Sequence, residues 1–200
     1  MVETPPGDKS RDQVLETAAR LFSDLGYDVV DLKLIADAAG LTTSELTELA
    51  GDKPTLYLAV FTWLHQMQQE SLAGSLEAFT PDAAGVQGIS DAFLDFCLRH
   101  RAFVGMWMHR WAGDAADLDV ETPFAKPVLS TMYQVMAPAV QPGVDLELAI
   151  WNIIWSVHGF VQFGFIGQDG QSHGSDEPPA IARFRAYLHD MIARFVQVPG

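Results

Sequence analysis

Four helix-start signals fall within the first 52 residues, and that spacing leaves room for short helices and little else. Ser10 with Gln13 forms an S-x-x-Q capping box. An apolar stripe of Val14, Ala18, Phe22 and Leu25 follows, and Gly26 stands where a left-handed C-terminal cap belongs. Asp31 can cap a second helix through Leu32, Ile35 and Ala36, closed by Gly40. Thr42 with Glu45 makes a second capping box, for a third helix through Leu46 and Leu49. Asp52 then opens a long fourth helix, with Pro54 tolerated in its first turn.

A short helix, the tight link Ala39-Gly40-Leu41-Thr42 and another short helix make a helix-turn-helix pattern. The remainder also reads in helical periods, with helices expected near 53–79, 87–100, 102–113, 122–138, 145–167 and 179–197. The expected fold is therefore all-α. It divides into a flexible tail (1–9), a helix-turn-helix DNA-binding domain (10–57) and a ligand-binding and dimerisation body (58–200).

Composition narrows the chemistry. Twelve Lys and Arg stand against 26 Asp and Glu, a formal net charge of −14 that argues against anionic surfaces as partners. A single cysteine, Cys97, leaves no disulfide framework and no thiolate zinc cluster. The apolar stretch Leu146 to Ile166 is broken by Glu147, Asn152, Ser156, His158 and Gln162, so it reads as a buried helix and not a membrane span. The opening residues lack an apolar signal core, and a reducing cytoplasm is the expected setting.

Residues 11–61 resemble the DNA-binding domain of TetR-family transcriptional regulators, through Ala18, Ala19, Phe22, Gly26, Tyr27, Ile35, Ala36, Ala39, Gly40, Leu41, Leu46, Lys53, Leu56 and Tyr57. The segment from Trp155 to Gly159 is similar to the penultimate helix of one C-terminal class in the family. The resemblance implies a homodimer whose third helix enters the major groove of operator DNA. It also implies a small effector in the body that alters the spacing of the two heads. Asp31 stands where the family carries a hydroxyl residue, Thr47 where it carries the recognition-helix tyrosine, and Ala50 where it carries a core aromatic. The lysine opening the fourth helix is kept as Lys53.

The recognition helix carries Glu45 and Glu48 and no base, and residues 1–61 hold five bases against eleven acids, a net of −6. Because phosphate neutralisation supplies most non-specific affinity, this head should bind duplex DNA weakly. Thr42, Thr43, Ser44 and Thr47 can still hydrogen-bond phosphates or base edges, and Glu48 can accept from a cytosine amino group. Lys33 and Lys53 are the candidate phosphate contacts. Each has a plainer reading: Glu45 as capping partner, Glu48 as solvated helix face, Lys53 as surface lysine.

In the body, Phe103 to Trp111 is apolar around the whole helix circumference. Methionine and tryptophan there suit a small apolar or aromatic effector, lined by Phe96, Trp107, Trp111, Tyr133, Trp155 and His158. Ordinary core packing is the competing reading for every one of them. The last two helices repeat a three-or-four spacing, and Trp151, Gly159, Gln162, Phe184, Leu188 and Met191 are expected at a two-fold interface.

Neither a histidine pair at metal spacing, nor a glycine-rich phosphate loop, nor a nucleophile elbow occurs, so no metal, cofactor or catalytic set is expected. The reading is a ligand-responsive regulator, taken as a repressor released from its operator. The alternative is a TetR-like ligand-binding or protein-interaction module whose acidic head no longer binds DNA. A helical enzyme acting on an apolar substrate is a third and weaker reading.

Overall fold

A computed structural model describes residues 11–197. Nine α-helices account for nearly all regular structure among the described residues. In chain order they are α1 (Arg11–Leu25), α2 (Leu32–Ala39), α3 (Thr43–Ala50), α4 (Lys53–Glu77), α5 (Ala83–Arg99), α6 (Arg101–Trp111), α7 (Lys126–Met136), α8 (Leu146–Phe163) and α9 (Pro178–Ala193). The all-α expectation holds. The Ser10 capping box and the N-terminal tail lie outside the described residues.

The caps explain where the head's helices begin and end. Asp31 accepts from the Leu34 N–H, and Gly40 closes α2 in the left-handed region at φ 67°. Thr42 and Glu45 exchange both bonds of the capping box. The Asp52 carboxylate accepts from the Thr55 N–H at 3.0 Å to start α4. Gly26, at φ 83°, turns the chain out of α1.

Two compact units emerge. The first holds the described residues up to Gln66 together with Ala102–Phe124. Its core is Val14, Ala18 and Phe22 of α1, Ile35 and Ala39 of α2, Leu46 of α3, and Leu56, Tyr57 and Phe61 of α4. Each fully buried Leu, Ile or Phe there is worth about 1.5–3 kcal/mol. The second unit comprises Met67–Arg101 and residues 125–197. In it α5 packs on α8 and α9, and α7 packs on α8. Phe93, Leu94, Phe96, Ile153, Val157 and Leu188 fill its centre, and the Phe160 and Phe184 rings stack at 4.2 Å.

Several boundaries differ from the sequence expectation, each for a local reason. Helix α5 starts at Ala83 and not near 87, because the Asp82 carboxylate caps the Gly85 N–H at 2.9 Å. Helix α8 stops at Phe163, where Gly164 takes φ 65°. The chain beyond makes a small antiparallel pair, β1 (Phe165–Ile166) with β2 (Ser172–His173), instead of continuing to 167. A π-turn, Glu121–Ala125, precedes α7.

Candidate nucleic-acid interface and effector residues

The recognition helix offers a polar face. Leu46 and Ala50 are buried, while Thr43, Ser44, Thr47 and Glu48 are exposed, with Thr42 exposed at the cap. Glu45 is committed to that cap: its carboxylate accepts from the Thr42 N–H at 2.7 Å and from the Thr42 hydroxyl at 2.8 Å. These bonds hold its pKa below the ordinary carboxylate value. The Thr47 hydroxyl donates to the Thr43 carbonyl at 2.8 Å, so only its lone pairs are immediately available to another donor.

Both lysines are engaged within the head. Lys33 pairs with Asp37 at 2.5 Å on the exposed face of α2. Lys53 lies over the Tyr27 ring, 4.1 Å from its centroid. The Lys33–Asp37 pair is fully exposed and screened by solvent, so a phosphate can replace Asp37 as the partner of Lys33. The sequence could show that these charges were few, but not where their heads would rest.

The effector candidates fall into two groups. In the first unit Trp107 is buried edge-on against Phe61 at 5.3 Å, and the partly exposed Trp111 tilts against it at 6.3 Å. Phe124 stacks on Phe61 at 5.5 Å, and His65 meets Phe124 edge-on. Sequence reasoning did not single out Phe61, His65 or Phe124, because apolar periodicity alone does not distinguish a ring lining a site from one filling a core.

In the second unit Phe96 is fully buried beside His100, and His158 is buried beside Phe93. Burial drives the His158 pKa down to about 3, so its ring is neutral at neutral pH. Tyr133 is half-buried; burial and the nearby Glu147 charge raise its pKa. Trp155 stands 53% exposed and stacks obliquely on Trp151.

Helices α8 and α9 present an apolar outer face. Leu148, Trp155 and Phe163 of α8 and Tyr187 of α9 are exposed, as is Ile166 of β1 just beyond α8. A groove of about 370 Å³ runs between Ser156, Phe160, Gly164, Phe165, Arg183, Phe184 and Tyr187. Of the expected interface residues, Gln162 is exposed and Trp151, Gly159, Phe184 and Met191 are half-buried. Leu188 corrects the expectation: it is fully enclosed by its own unit and has no surface to offer a second copy.

Among the described residues no helix is long and apolar enough to cross a membrane. Cys97 is buried, and burial pushes its thiol pKa well up, away from the reactive thiolate.

No family model matches the chain. Among curated proteins it is 31% identical over 91 residues to the HTH-type transcriptional activator FasR of Mycolicibacterium smegmatis. That match spans 46% of this chain and 42% of FasR, less than half the length of the relative. Among solved structures it is similar to the TetR family transcriptional regulator PfmR of Thermus thermophilus, with TM-score 0.68 at 19% identity over 96% of this chain and 99% of that one. AibR in complex with isovaleryl coenzyme A and operator DNA gives TM-score 0.71 at 17% identity, over 90% and 96%. The ketosteroid transcriptional regulator KstR2 of Mycobacterium tuberculosis gives 0.66 at 18%, over 96% and 97%. The chain is thus built on the TetR fold, an all-α architecture with an N-terminal helix-turn-helix head shared by a family of transcriptional regulators.

Proposed function

We propose that this chain is a ligand-responsive DNA-binding regulator that acts as a homodimer and leaves its operator when a small apolar effector binds. The carrying observation is the recognition helix, capped at Thr42 and presenting Thr43, Ser44, Thr47 and Glu48 to solvent over a closed three-helix core. Helix α3 is the reading helix, and Lys53 and Lys33 exchange their internal partners for phosphate. The apolar face of α8 and α9 is the two-fold surface, with Trp151, Gly159, Gln162, Phe184 and Met191 on or beside it.

Trp107 and Trp111 are the effector contacts in the first unit, and Phe96, Tyr133 and His158 those in the second, while Trp155, exposed on α8, goes with the two-fold surface. The AibR complex with isovaleryl coenzyme A makes acyl-coenzyme A esters the first effector class to try. The effector acts by preferring the conformation with the heads misplaced for DNA, which lowers the DNA-competent population.

The second reading, a regulator-like body whose head no longer binds DNA, draws on the −6 charge and on the Lys33–Asp37 pair. Fluorescence anisotropy with the intergenic duplex beside its own gene, at low salt, separates the two. Saturable binding that isovaleryl coenzyme A or a longer acyl-coenzyme A reverses supports regulation. An intact dimer without saturable binding supports the second reading.

A further inference from the structure

The corner between α1 and α2 is held from far along the chain. Gly26 turns the backbone so that the next two N–H groups point the same way, and the Asp114 carboxylate takes both. Tyr27 N–H donates to Oδ2 at 2.6 Å and Asp28 N–H donates to Oδ1 at 2.8 Å. One turn earlier, His109 Nε2 meets the Ser23 carbonyl at 3.1 Å. Helix α6 lies so close to α1 that a side chain at Gly105 would strike Ser23. The head needs none of this to form its own helices, since Gly26, Asp31 and Thr42 already supply their ends.

Asp114 is itself held in place. The Arg110 Nη1 donates to the carbonyls of Asp114, at 3.1 Å, and Ala115, at 2.6 Å. Its Nε and Nη2 grip both oxygens of Glu121, at 2.7 and 2.8 Å. Ala115 is fully buried at φ 53°, a left-handed conformation that a non-glycine residue keeps only when its surroundings impose it. Glu121 begins the π-turn ahead of α7, a kind of distortion that helices concentrate at functional positions.

We infer that Asp114 is a positioning residue for DNA binding: through Arg110 it makes the orientation of the reading helices depend on whether Glu121 holds its place. The connected groups form one polar line, from Glu121 through the Arg110 fork to the strained Asp114–Ala115 turn and on to the two N–H groups that set the direction of α2. A change that draws Glu121 off Arg110 frees the turn, and the α1–α2 corner loses the acceptor for both N–H groups. The DNA part of this inference rests on the proposed function, whereas the mechanical part does not.

The experiment has two arms. In the first, hydrogen exchange is followed at the Tyr27 and Asp28 amides in the full chain and in Glu121→Gln. At least tenfold faster exchange at those two amides, with the rest of the head unchanged, is expected; unchanged exchange overturns the relay. In the second, Asp114→Asn is titrated with the intergenic duplex and with a random duplex of equal length. Removing an acid should tighten both if charge alone matters. The inference requires at least tenfold weaker binding to the intergenic duplex with no loss on the random one, and equal tightening on both overturns it. If the unaltered protein gives no saturable DNA binding, the regulatory reading fails and the positioning role falls with it, while the exchange arm still decides the relay.

Discussion

Asp37 holds the Lys33 ammonium at 2.5 Å, one turn along the exposed face of α2. The head therefore carries its own competitor for a residue suited to phosphate contact. Asp37→Asn should free Lys33 and tighten binding to the intergenic duplex several-fold. It should also steepen the dependence of log affinity on log salt by about 0.9, the increment for one further phosphate contact. Anisotropy titrations across a salt series check this; an unchanged slope removes Lys33 from the interface.

Tyr57 carries the reverse kind of burden. Its hydroxyl is buried with no hydrogen-bond partner among the described residues, and burial raises its pKa. The ring does the packing, edge-on to Phe22 at 5.0 Å and to Phe61 at 5.1 Å. Tyr57→Phe keeps those contacts and removes the orphaned group, so it should be neutral or stabilising by up to about 1 kcal/mol. Urea denaturation tests it, and a loss of stability would mean that the hydroxyl is bonded in solution.

His158 sets a pH dependence. Its pKa is lowered by burial to about 3, so the folded chain resists a proton that the unfolded chain accepts near its ordinary value of 6.5. The stabilisation is complete above that ordinary value and is lost as pH falls toward 3. By pH 5 the loss should reach about 2 kcal/mol. Thermal midpoints measured from pH 7 to 5 should fall in the native protein and fall less in His158→Leu; parallel curves would contradict the assignment.

At Gly85 two physical rules oppose each other. Alanine is favoured over glycine inside a helix by about 0.8–1.0 kcal/mol. Here, however, an added Cβ would run into the Thr80 backbone. Overpacking against backbone costs about 1–3 kcal/mol, so Gly85→Ala should destabilise. A higher melting temperature would show that the Thr80 turn can yield.

The head was legible in the sequence because its boundaries are written in residues that act locally. Asp31, Thr42, Glu45, Gly26 and Gly40 each do what their side chain or missing Cβ predicts within four positions. Where local signals conflict, the reading slipped. The helix expected near 87 in fact begins at Ala83, because the Asp82 cap takes the Gly85 N–H and carries α5 through residues that apolar spacing alone left outside it. The run Leu146–Ile166 read as one helix, yet Gly164 takes φ 65° and ends it, at a place where the His173 carbonyl leaves no room for a Cβ. The site was less legible. The partners of Lys33 and Lys53 depend on rotamers, and the Asp114 bonds to Tyr27 and Asp28 join positions more than eighty residues apart. No periodicity encodes such a contact, nor does it mark Leu188 as core and Trp155 as surface.

The most direct test of the regulatory account is a DNase I footprint of the protein on the DNA beside its own gene, at low salt, with and without Thr47→Ala. The account predicts a protected site of two inverted halves about one or more helical turns apart, lost in the variant. Uniform cleavage at concentrations where the protein is folded and dimeric would contradict it.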